Sequence, residues 1–350
     1  MNAEFFSAIA DIEKEKGIPQ SYMLEKIEQA LLAALKKDSP ASQECARVVL
    51  DPGAKTVHMY LQKTVADPVT DPNTQISLEQ ARKAHPGADV DDIVNETVDA
   101  KKFGRIAAQA AKQVIIQGIR EAERGIVYDE FTSKEHEILT GIVSRIEPRT
   151  GSVSIQISSN ADYTEAMLSQ SERIPTETLR EGDRIKVYVV EVRKSSRGPQ
   201  ILISRTHPGL VKRLFELEVP EIFDGIVEIK SIAREAGSRT KIAVMSSDPE
   251  VDPIGACVGP KGGRVSSIVD ELHGEKIDIV KYSDVIEEYI ASALAPSEVL
   301  SVTVLDEGKS CRVVVPDNQL SLAIGKEGQN VRLAARLTGY KIDIKPASQS

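Results

Sequence analysis

The sequence predicts an α+β chain of several domains, and three observations support this fold class. Its 350 residues exceed the usual domain size of about 100–200 residues. Apolar residues follow a helical spacing up to about residue 125, and a two-residue alternation replaces it from about Glu137. A segment near the C-terminus then occurs twice. We therefore expect a helix-rich N-terminal domain, a small β-barrel and two copies of a further module.

The first 128 residues predict the helix-rich domain. Apolar residues recur every three or four positions over 5–12, and again over 24–35 after Ser21, a candidate N-cap. Strand-like patches follow within 46–65. A long helix then runs to about Arg124, with Phe103, Ile106 and Ala110 at helical spacing.

From about Glu137 the chain contains short segments in which apolar and polar residues alternate. These segments predict four or five antiparallel strands within about 70 residues. Turn residues separate them at 148–151, 181–183 and 195–199. So few strands form too small a sheet for a sandwich. A closed barrel of the oligonucleotide-binding type fits better, and closure removes sheet edges that would invite aggregation.

The repeat near the C-terminus is the most informative feature. Residues 254–279 read IGACVGPKGGRVSSIVDELHGEKIDI, and residues 320–344 read LSLAIGKEGQNVRLAARLTGYKIDI. Each copy contains a GxxG loop, a helical stretch, a further glycine and the same KIDI tetrapeptide. The loops are 66 residues apart and the KIDI segments 65, so a single gap aligns them. The combined recurrence indicates a duplicated module.

The loop chemistry suits a phosphate ligand. Glycine lacks Cβ, so the backbone can approach a sugar–phosphate chain closely, and the following helix presents free N–H groups. Lys261 and Lys326 add positive charge, and Arg264 follows the first loop. The alternative is a ligand-free helix–helix turn, which Glu327 favours for the second copy because a carboxylate repels phosphate. Neither loop matches GxxxxGK[ST], the phosphate loop of nucleotide-binding proteins.

Composition and charge exclude several classes. The chain is 41% hydrophobic and 28% charged, has no apolar run of about 18 residues and begins with no secretory signal pattern. Three distant cysteines predict neither a disulfide framework nor a zinc site. We expect a cytoplasmic protein without metal or cofactor. The net charge of −9 argues against indiscriminate nucleic-acid binding.

One basic run stands out in this acidic chain. Residues 192–215 carry no acidic side chain but six basic ones. Such a run is either a solvated face or a strip that faces phosphate groups. Its basic residues are Arg193, Lys194, Arg197, Arg205, Lys212 and Arg213.

These motifs resemble a known family. The segments IGACVGPKGGRV, LAIGKEGQNVRLAARLTGYKIDI and GRIAAQAAKQVIIQGIREAER are similar to the NusA family of bacterial transcription factors, and the resemblance covers residues 1–346. It implies the following organisation: an N-terminal RNA polymerase-binding domain at 1–128, an S1 (OB-type) RNA-binding domain at 135–206, a first bacterial-type KH domain at 207–283, a second at 284–346 and a disordered tail at 347–350.

The resemblance also implies the function and the site. It implies an elongation, termination and antitermination factor that binds RNA polymerase core through the N-terminal domain and nascent single-stranded RNA through the rest, modulating pausing and hairpin-dependent termination. Other Nus-type factors are further candidate partners, no membrane contact is implied, and we expect a monomer. The KH loops would grip RNA through the following residues: Gly259, Pro260, Lys261, Gly262, Gly263 and Arg264 in the first, and Gly325, Lys326, Glu327, Gly328, Gln329 and Asn330 in the second.

The barrel is expected to add mainly charge, through Arg145, Arg149, Lys186 and the basic run. Its candidate aromatic platforms are few, chiefly Phe131, Tyr163 and Tyr188. Short linkers at 204–208 and 282–284 predict fixed geometry and one extended RNA surface.

Two alternatives remain to be weighed. An enzyme is not expected, because the five histidines are scattered and no catalytic or metal-binding motif occurs. A general RNA-binding module without polymerase contact would carry the same loops. The acidic N-terminal region distinguishes the two, since it would repel RNA and suits a protein partner with basic patches.

Replacing the basic residues of 193–213 by alanine is expected to flatten the salt dependence of RNA binding, because fewer counterions are released. The measurement is the slope of the logarithm of the binding constant against the logarithm of salt concentration. An unchanged slope would contradict the phosphate-facing interpretation.

Overall fold

The computed structural model describes residues 3–38, 42–98, 100–159, 163–196, 198–305 and 308–349. The chain divides into two compact units, Met1–Val127 and Tyr128–Ser350. The side chains of Phe103, Ile106 and Ala110, which predict the long helix, lie outside the described residues, although their backbone is helical. None of the helices within the described ranges is long and apolar enough to cross a membrane.

The first unit packs helices against a small sheet. A spacing of four residues places Ile27, Leu31 and Leu35 on one face of a helix. There they are buried with Phe6 and Ala46. Strand β2 is central and pairs with β1 and β4 antiparallel and with β3 parallel. The elements in chain order are α1 (Ala3–Lys16), α2 (Gln20–Asp38), α3 (Ser42–Cys45), β1 (Ala46–Asp51), β2 (Thr56–Ala66), β3 (Gln75–Ser77), α4 (Leu78–Ala84), β4 (Ile93–Thr97) and α5 (Ala100–Thr132).

The second unit begins with the predicted barrel. Its five strands close in the order β5-β6-β7-β9-β8. Alternation along β6 buries Val153, Ile155 and Ile157 inside the barrel, as a two-residue period requires. The strands are β5 (Ile138–Ile146), β6 (Val153–Ser158), β7 (Tyr163–Leu168), β8 (Arg184–Ser195) and β9 (Gly198–Ser204).

Two modules of the same topology follow. After two leading helices in the first module and one in the second, each contains two strands, two helices and a third strand. The central strand pairs antiparallel with the first and parallel with the third. The first repeat module comprises α6 (Pro208–Glu218), α7 (Pro220–Phe223), β10 (Val227–Glu235), β11 (Arg239–Ser246), α8 (Pro253–Val258), α9 (Gly263–Glu271) and β12 (Lys276–Lys281). The second comprises α10 (Ile286–Ala293), β13 (Ser301–Leu305), β14 (Ser310–Val315), α11 (Leu320–Ile324), α12 (Gln329–Thr338) and β15 (Lys341–Pro346).

The two repeat modules share a core. Ala243 and Val280 of the first sheet belong to the same buried cluster as Ile290 and Leu333 of the second module. Tyr289 Oη donates to the Leu337 carbonyl at 3.1 Å, and burial raises the pKa of Tyr289 to about 12. The phenol therefore stays protonated as a donor. This packing agrees with the fixed geometry that the short linker predicts.

The fold class is confirmed: a helix-rich first unit, a closed five-stranded barrel and two repeated modules. The disordered tail at 347–350 stays a prediction. Ala347–Gln349 form a single 3-10 turn, and the backbone N–H of Ser348 donates to Asp317 Oδ1 at 3.1 Å.

The barrel meets the first repeat module at Tyr188. The Tyr188 ring stacks on His207, with ring centroids 4.7 Å apart and planes inclined by 5°. His207 in turn caps α6, because its side chain accepts from the N–H of Gly209. A Cβ at Gly209 would lie 2.4 Å from Cζ of Tyr188, so only glycine allows this approach.

Gly209→Ala should therefore lower the free energy of unfolding by about 1–3 kcal/mol through overpacking against Tyr188. Urea unfolding followed by circular dichroism measures the effect. Gly263→Ala is the matched control, since no described atom lies within 4 Å of its Cβ position and alanine favours a helix. Equal free energies of unfolding for the two variants would show that the contact with Tyr188 tolerates a Cβ at position 209.

Candidate nucleic-acid interface

The two GxxG loops have the same backbone conformation. In Gly259–Gly262 the first glycine has φ 71° and ψ 174°, and in Gly325–Gly328 it has φ 76° and ψ 173°. The third residue is left-handed in both loops, with φ 54° at Lys261 and 53° at Glu327. The last glycine has φ 75° in each. The repetition in sequence thus extends to the backbone torsions.

The two glycines of each loop serve different purposes. A Cβ at Gly259 would lie 2.6 Å from Cγ of Arg264, and one at Gly325 would lie 2.8 Å from Cβ of Asn330. The first glycine therefore lets the loop fold back onto the helix that follows. The last glycine meets no described atom within 4 Å of its Cβ position, so positive φ alone requires it, and the surface there is open.

Each loop leads directly into a helix whose first N–H groups face the loop. Gly262 and Gly328 occupy the N-cap positions of α9 and α12, and glycine has no side chain with which to cap those N–H groups. Lys261 and Lys326 are exposed and form no ion pair with any described residue. Backbone donors, helix dipole and a lysine thus converge on a site for an anion.

The residues that flank the loops hold them in place. Arg264 Nη1 donates to the Ala256 carbonyl at 2.6 Å and to Glu221 at 2.8 Å. The buried Asn330 donates through Nδ2 to backbone carbonyls of the preceding helices, including Ala323 at 3.1 Å. The structure therefore gives Arg264 and Asn330 contacts within the protein. Pro260 and Glu327 are exposed, and Gly263 begins α9.

Most of the basic residues predicted for the barrel and the basic run have acidic neighbours. Lys194 instead lies over the Tyr128 ring, 4.4 Å from its centroid. Arg149 and Lys212 are exposed and have no ion pair within the part of the chain that the structure describes. Arg197 lies outside the described residues. The ion pairs are Arg145 with Glu147 at 3.2 Å, Lys186 with Glu271 at 3.2 Å, Arg193 with Glu191 at 2.6 Å and Arg213 with Glu137 at 2.9 Å and with Glu216.

The position of Arg205 contradicts its predicted place in a phosphate-facing strip. Its side chain is fully buried, so its guanidinium is out of reach of RNA. Nε donates to Glu177 at 2.7 Å, Nη1 to the Lys186 carbonyl at 2.5 Å and Nη2 to the Glu271 carbonyl at 3.0 Å. A buried guanidinium needs such partners, because an unpaired charge in the interior is costly. Arg205 therefore joins the barrel to the first repeat module.

The aromatic candidates also divide into buried and exposed rings. Phe131 and Tyr188 are buried, and desolvation raises the pKa of Tyr188. Neither ring can stack on a base. Tyr163 is 64% exposed on β7 and is the barrel ring that a base could reach.

Comparison with known proteins agrees with this architecture. Three family models match: the NusA N-terminal domain at residues 4–125, the NusA-like first KH domain at 205–282 and the NusA-like second KH domain at 286–350. A transcription termination/antitermination protein NusA from Halalkalibacterium halodurans is 53% identical over 350 residues, covering 100% of this chain and 90% of that protein.

Further relatives with the same name show similar coverage. The protein from Bacillus subtilis is 52% identical over 345 residues, covering 99% of this chain and 91% of the relative. The protein from Thermus thermophilus is 41% identical over 359 residues, covering 100% and 92%. The chain belongs to the NusA family. The resemblance found in the sequence is thereby confirmed, and the two repeat modules are NusA-like KH domains.

Two basic residues that lie near the second loop were not singled out from the sequence. Arg332 and Arg336 on α12 both approach Glu235 of the first KH domain, at 2.6 and 3.7 Å. Aligning the repeats position by position would have pointed to them. The 66-residue offset places Arg332 opposite Ser266, and Arg336 opposite Asp270, so α12 carries basic residues that α9 lacks.

Arg205→Met should lower the free energy of unfolding by about 3–5 kcal/mol, because the buried carboxylate of Glu177 loses its partner. Lys212→Met is the matched control and should change stability by less than about 0.5 kcal/mol, since Lys212 is exposed. Thermal unfolding gives the overall effect, and amide hydrogen exchange in β8 and α9 locates it. Adding Glu177→Gln to Arg205→Met should recover part of the lost stability. Equal free energies of unfolding for Arg205→Met and Lys212→Met would refute the central role of Arg205.

Proposed function

We propose that this chain is a transcription elongation, termination and antitermination factor. In this proposal the domain at 1–128 binds RNA polymerase core, and the S1-type barrel at 135–206 and the KH domains at 207–283 and 284–346 bind nascent single-stranded RNA. The factor modulates pausing and hairpin-dependent termination. It works by binding, without catalysis, metal or cofactor, as a cytoplasmic monomer.

The observation that carries the RNA-binding part is the matched geometry of the two GxxG loops. Both combine an open last glycine, an uncapped helix start and an exposed lysine, which is the third residue of the first loop and the second residue of the other. A KH loop of this type clamps the backbone of about four nucleotides. Two copies with a shared core therefore support binding of one RNA strand by both loops.

The barrel supports this role through exposed groups around its strands. Arg149, Arg145 and Arg193 carry charge at the surface, and Tyr163 offers an exposed ring. Base stacking on such a ring contributes about 1–3 kcal/mol. The barrel's share of RNA affinity is thus mainly electrostatic, with one stacking position.

Charge supports a protein partner for the first unit. Residues 1–130 carry 16 basic and 21 acidic side chains, a net charge of −5 that repels RNA and favours a basic protein surface. The names of the relatives place them in transcription termination and antitermination. Polymerase is therefore the favoured partner over a general RNA-binding role.

Single-round transcription by bacterial polymerase across a hairpin pause and an intrinsic terminator tests the proposal. The intact chain should change pause lifetime and termination efficiency. Lys261→Asp/Lys326→Asp should lose most of this effect, because both loops then repel phosphate, whereas Lys261→Arg/Lys326→Arg keeps the charge and should retain it.

Binding to purified polymerase core completes the test. The intact chain should bind and the 128–350 fragment, a separate compact unit, should not. If pause lifetimes never change while RNA binding persists, the general RNA-binding module becomes the better account.

A further inference from the structure

A carboxylate of the first KH domain lies among basic groups of the second. Glu235, the last residue of β10, accepts from Arg332 Nε at 2.6 Å and from Arg332 Nη2 at 3.1 Å. Gln329 Nε2 also donates to this carboxylate, at 2.9 Å. Arg336 Nη1 lies 3.7 Å away. The hydrogen bond from Arg332 lowers the pKa of the Glu235 carboxyl, so the group is ionised at neutral pH.

The same donors lie next to the second GxxG loop. Gln329 is the first residue of α12, immediately after Gly328. Arg332 Nη1 donates to the carbonyl of Glu327 in the loop itself, at 3.1 Å. One guanidinium thus bridges a carboxylate of the first KH domain and the phosphate-facing loop of the second.

The two repeats distribute their charge differently. The left-handed position holds a cation, Lys261, in the first loop and an anion, Glu327, in the second, where the lysine stands one position earlier. Helix α12 then adds two arginines at positions where α9 has no basic residue. The aligned positions are Lys261 with Glu327, Ser266 with Arg332 and Asp270 with Arg336.

We propose that Arg332, Gln329 and Arg336 form a phosphate site on the second KH domain. Glu235 occupies this site in the free protein, and a phosphate of bound single-stranded RNA displaces it. The inference rests on the proposed RNA-binding function and adds a site beyond the GxxG loop.

The chemistry of the site fits this exchange. A guanidinium presents a planar fork of donors that matches a carboxylate or a phosphate equally well. The site is also accessible, since the side chain of Arg332 is 43% exposed and that of Arg336 56%. The carboxylate of Glu235 is 21% exposed, so the pair reaches the surface, where ion pairs contribute little net stability. A phosphate at the same donors can therefore replace Glu235.

The test compares Glu235→Gln with Glu228→Gln in the full chain. Glu228 is exposed on the same strand and pairs with Lys230 at 2.7 Å, so its replacement removes the same charge from the same domain. The probe is a fluorescein-labelled single-stranded RNA long enough to reach both loops, titrated over a range of salt concentrations.

Glu235→Gln should bind the RNA about threefold more tightly at low salt. The slope of log binding constant against log salt should become steeper by about 0.7 for each additional phosphate that the protein neutralises. Glu228→Gln should leave both quantities near the wild-type values. Adding Arg332→Gln to Glu235→Gln should abolish the tighter binding, because the phosphate then loses its principal donor.

Each outcome decides between explanations. Equal or weaker binding by Glu235→Gln than by Glu228→Gln overturns the inference, as does tighter binding that survives the loss of Arg332. RNA binding by the wild-type chain in those cases leaves the proposed function intact. A wild-type chain that binds no RNA at all overturns both.

Discussion

The guanidinium of Arg205 lies where the last barrel strand passes into the first KH domain, and it connects the barrel to the helix that follows the first GxxG loop. Its donors reach the loop before β8, the backbone of β8 and the C-terminal end of α9. Helix α9 begins at the first GxxG loop. A single buried cation therefore links the barrel wall to the helix that begins at the first GxxG loop. Removing it would leave the buried Glu177 without its arginine partner, which is costly.

A second buried carboxylate anchors a hydrogen-bond network within the first KH domain. Glu275 is fully buried and accepts two bonds from Arg234 at 2.9 Å, one from the N–H of Gly237 and one from Thr240. Arg234 also donates to the carbonyl of His207 at 2.9 Å, at the start of α6. The turn that these bonds fix directly follows Glu235. The position of Glu235 against the second KH domain is thus set by the same network.

Two kinds of feature could be predicted from the sequence: those that require a particular residue type, and those that require a regular spacing of apolar residues. Positive φ strongly favours glycine, and each loop has it at both ends, so the two loops are visible in the sequence. Alternation predicts the barrel strands, and the long helices of the first unit have enough turns to show their spacing. Strand β3 has three residues and α4 seven, too few for a clear period.

Burial of individual charged residues could not be predicted. Arg205 belongs to a run that looks uniformly basic, and its partners lie 28 and 66 residues away in the sequence. Arg332 meets Glu235 across 97 residues. Tyr163 and Tyr188 are equally plausible as base platforms in the sequence, yet packing against His207 buries Tyr188. Such distinctions depend on tertiary contacts, which neither local period nor composition encodes.

The shared core of the two KH domains has a consequence for how a strand is selected. Because the loops are held at one separation, a strand that fills the first already presents its next segment to the second at high effective concentration. The second attachment then costs little further translational freedom. A strand too short to reach both loops has none of this avidity. Under the proposed function, the pair of domains would therefore act as a molecular ruler that discriminates transcripts by unstructured length, even where each loop is indifferent to base identity.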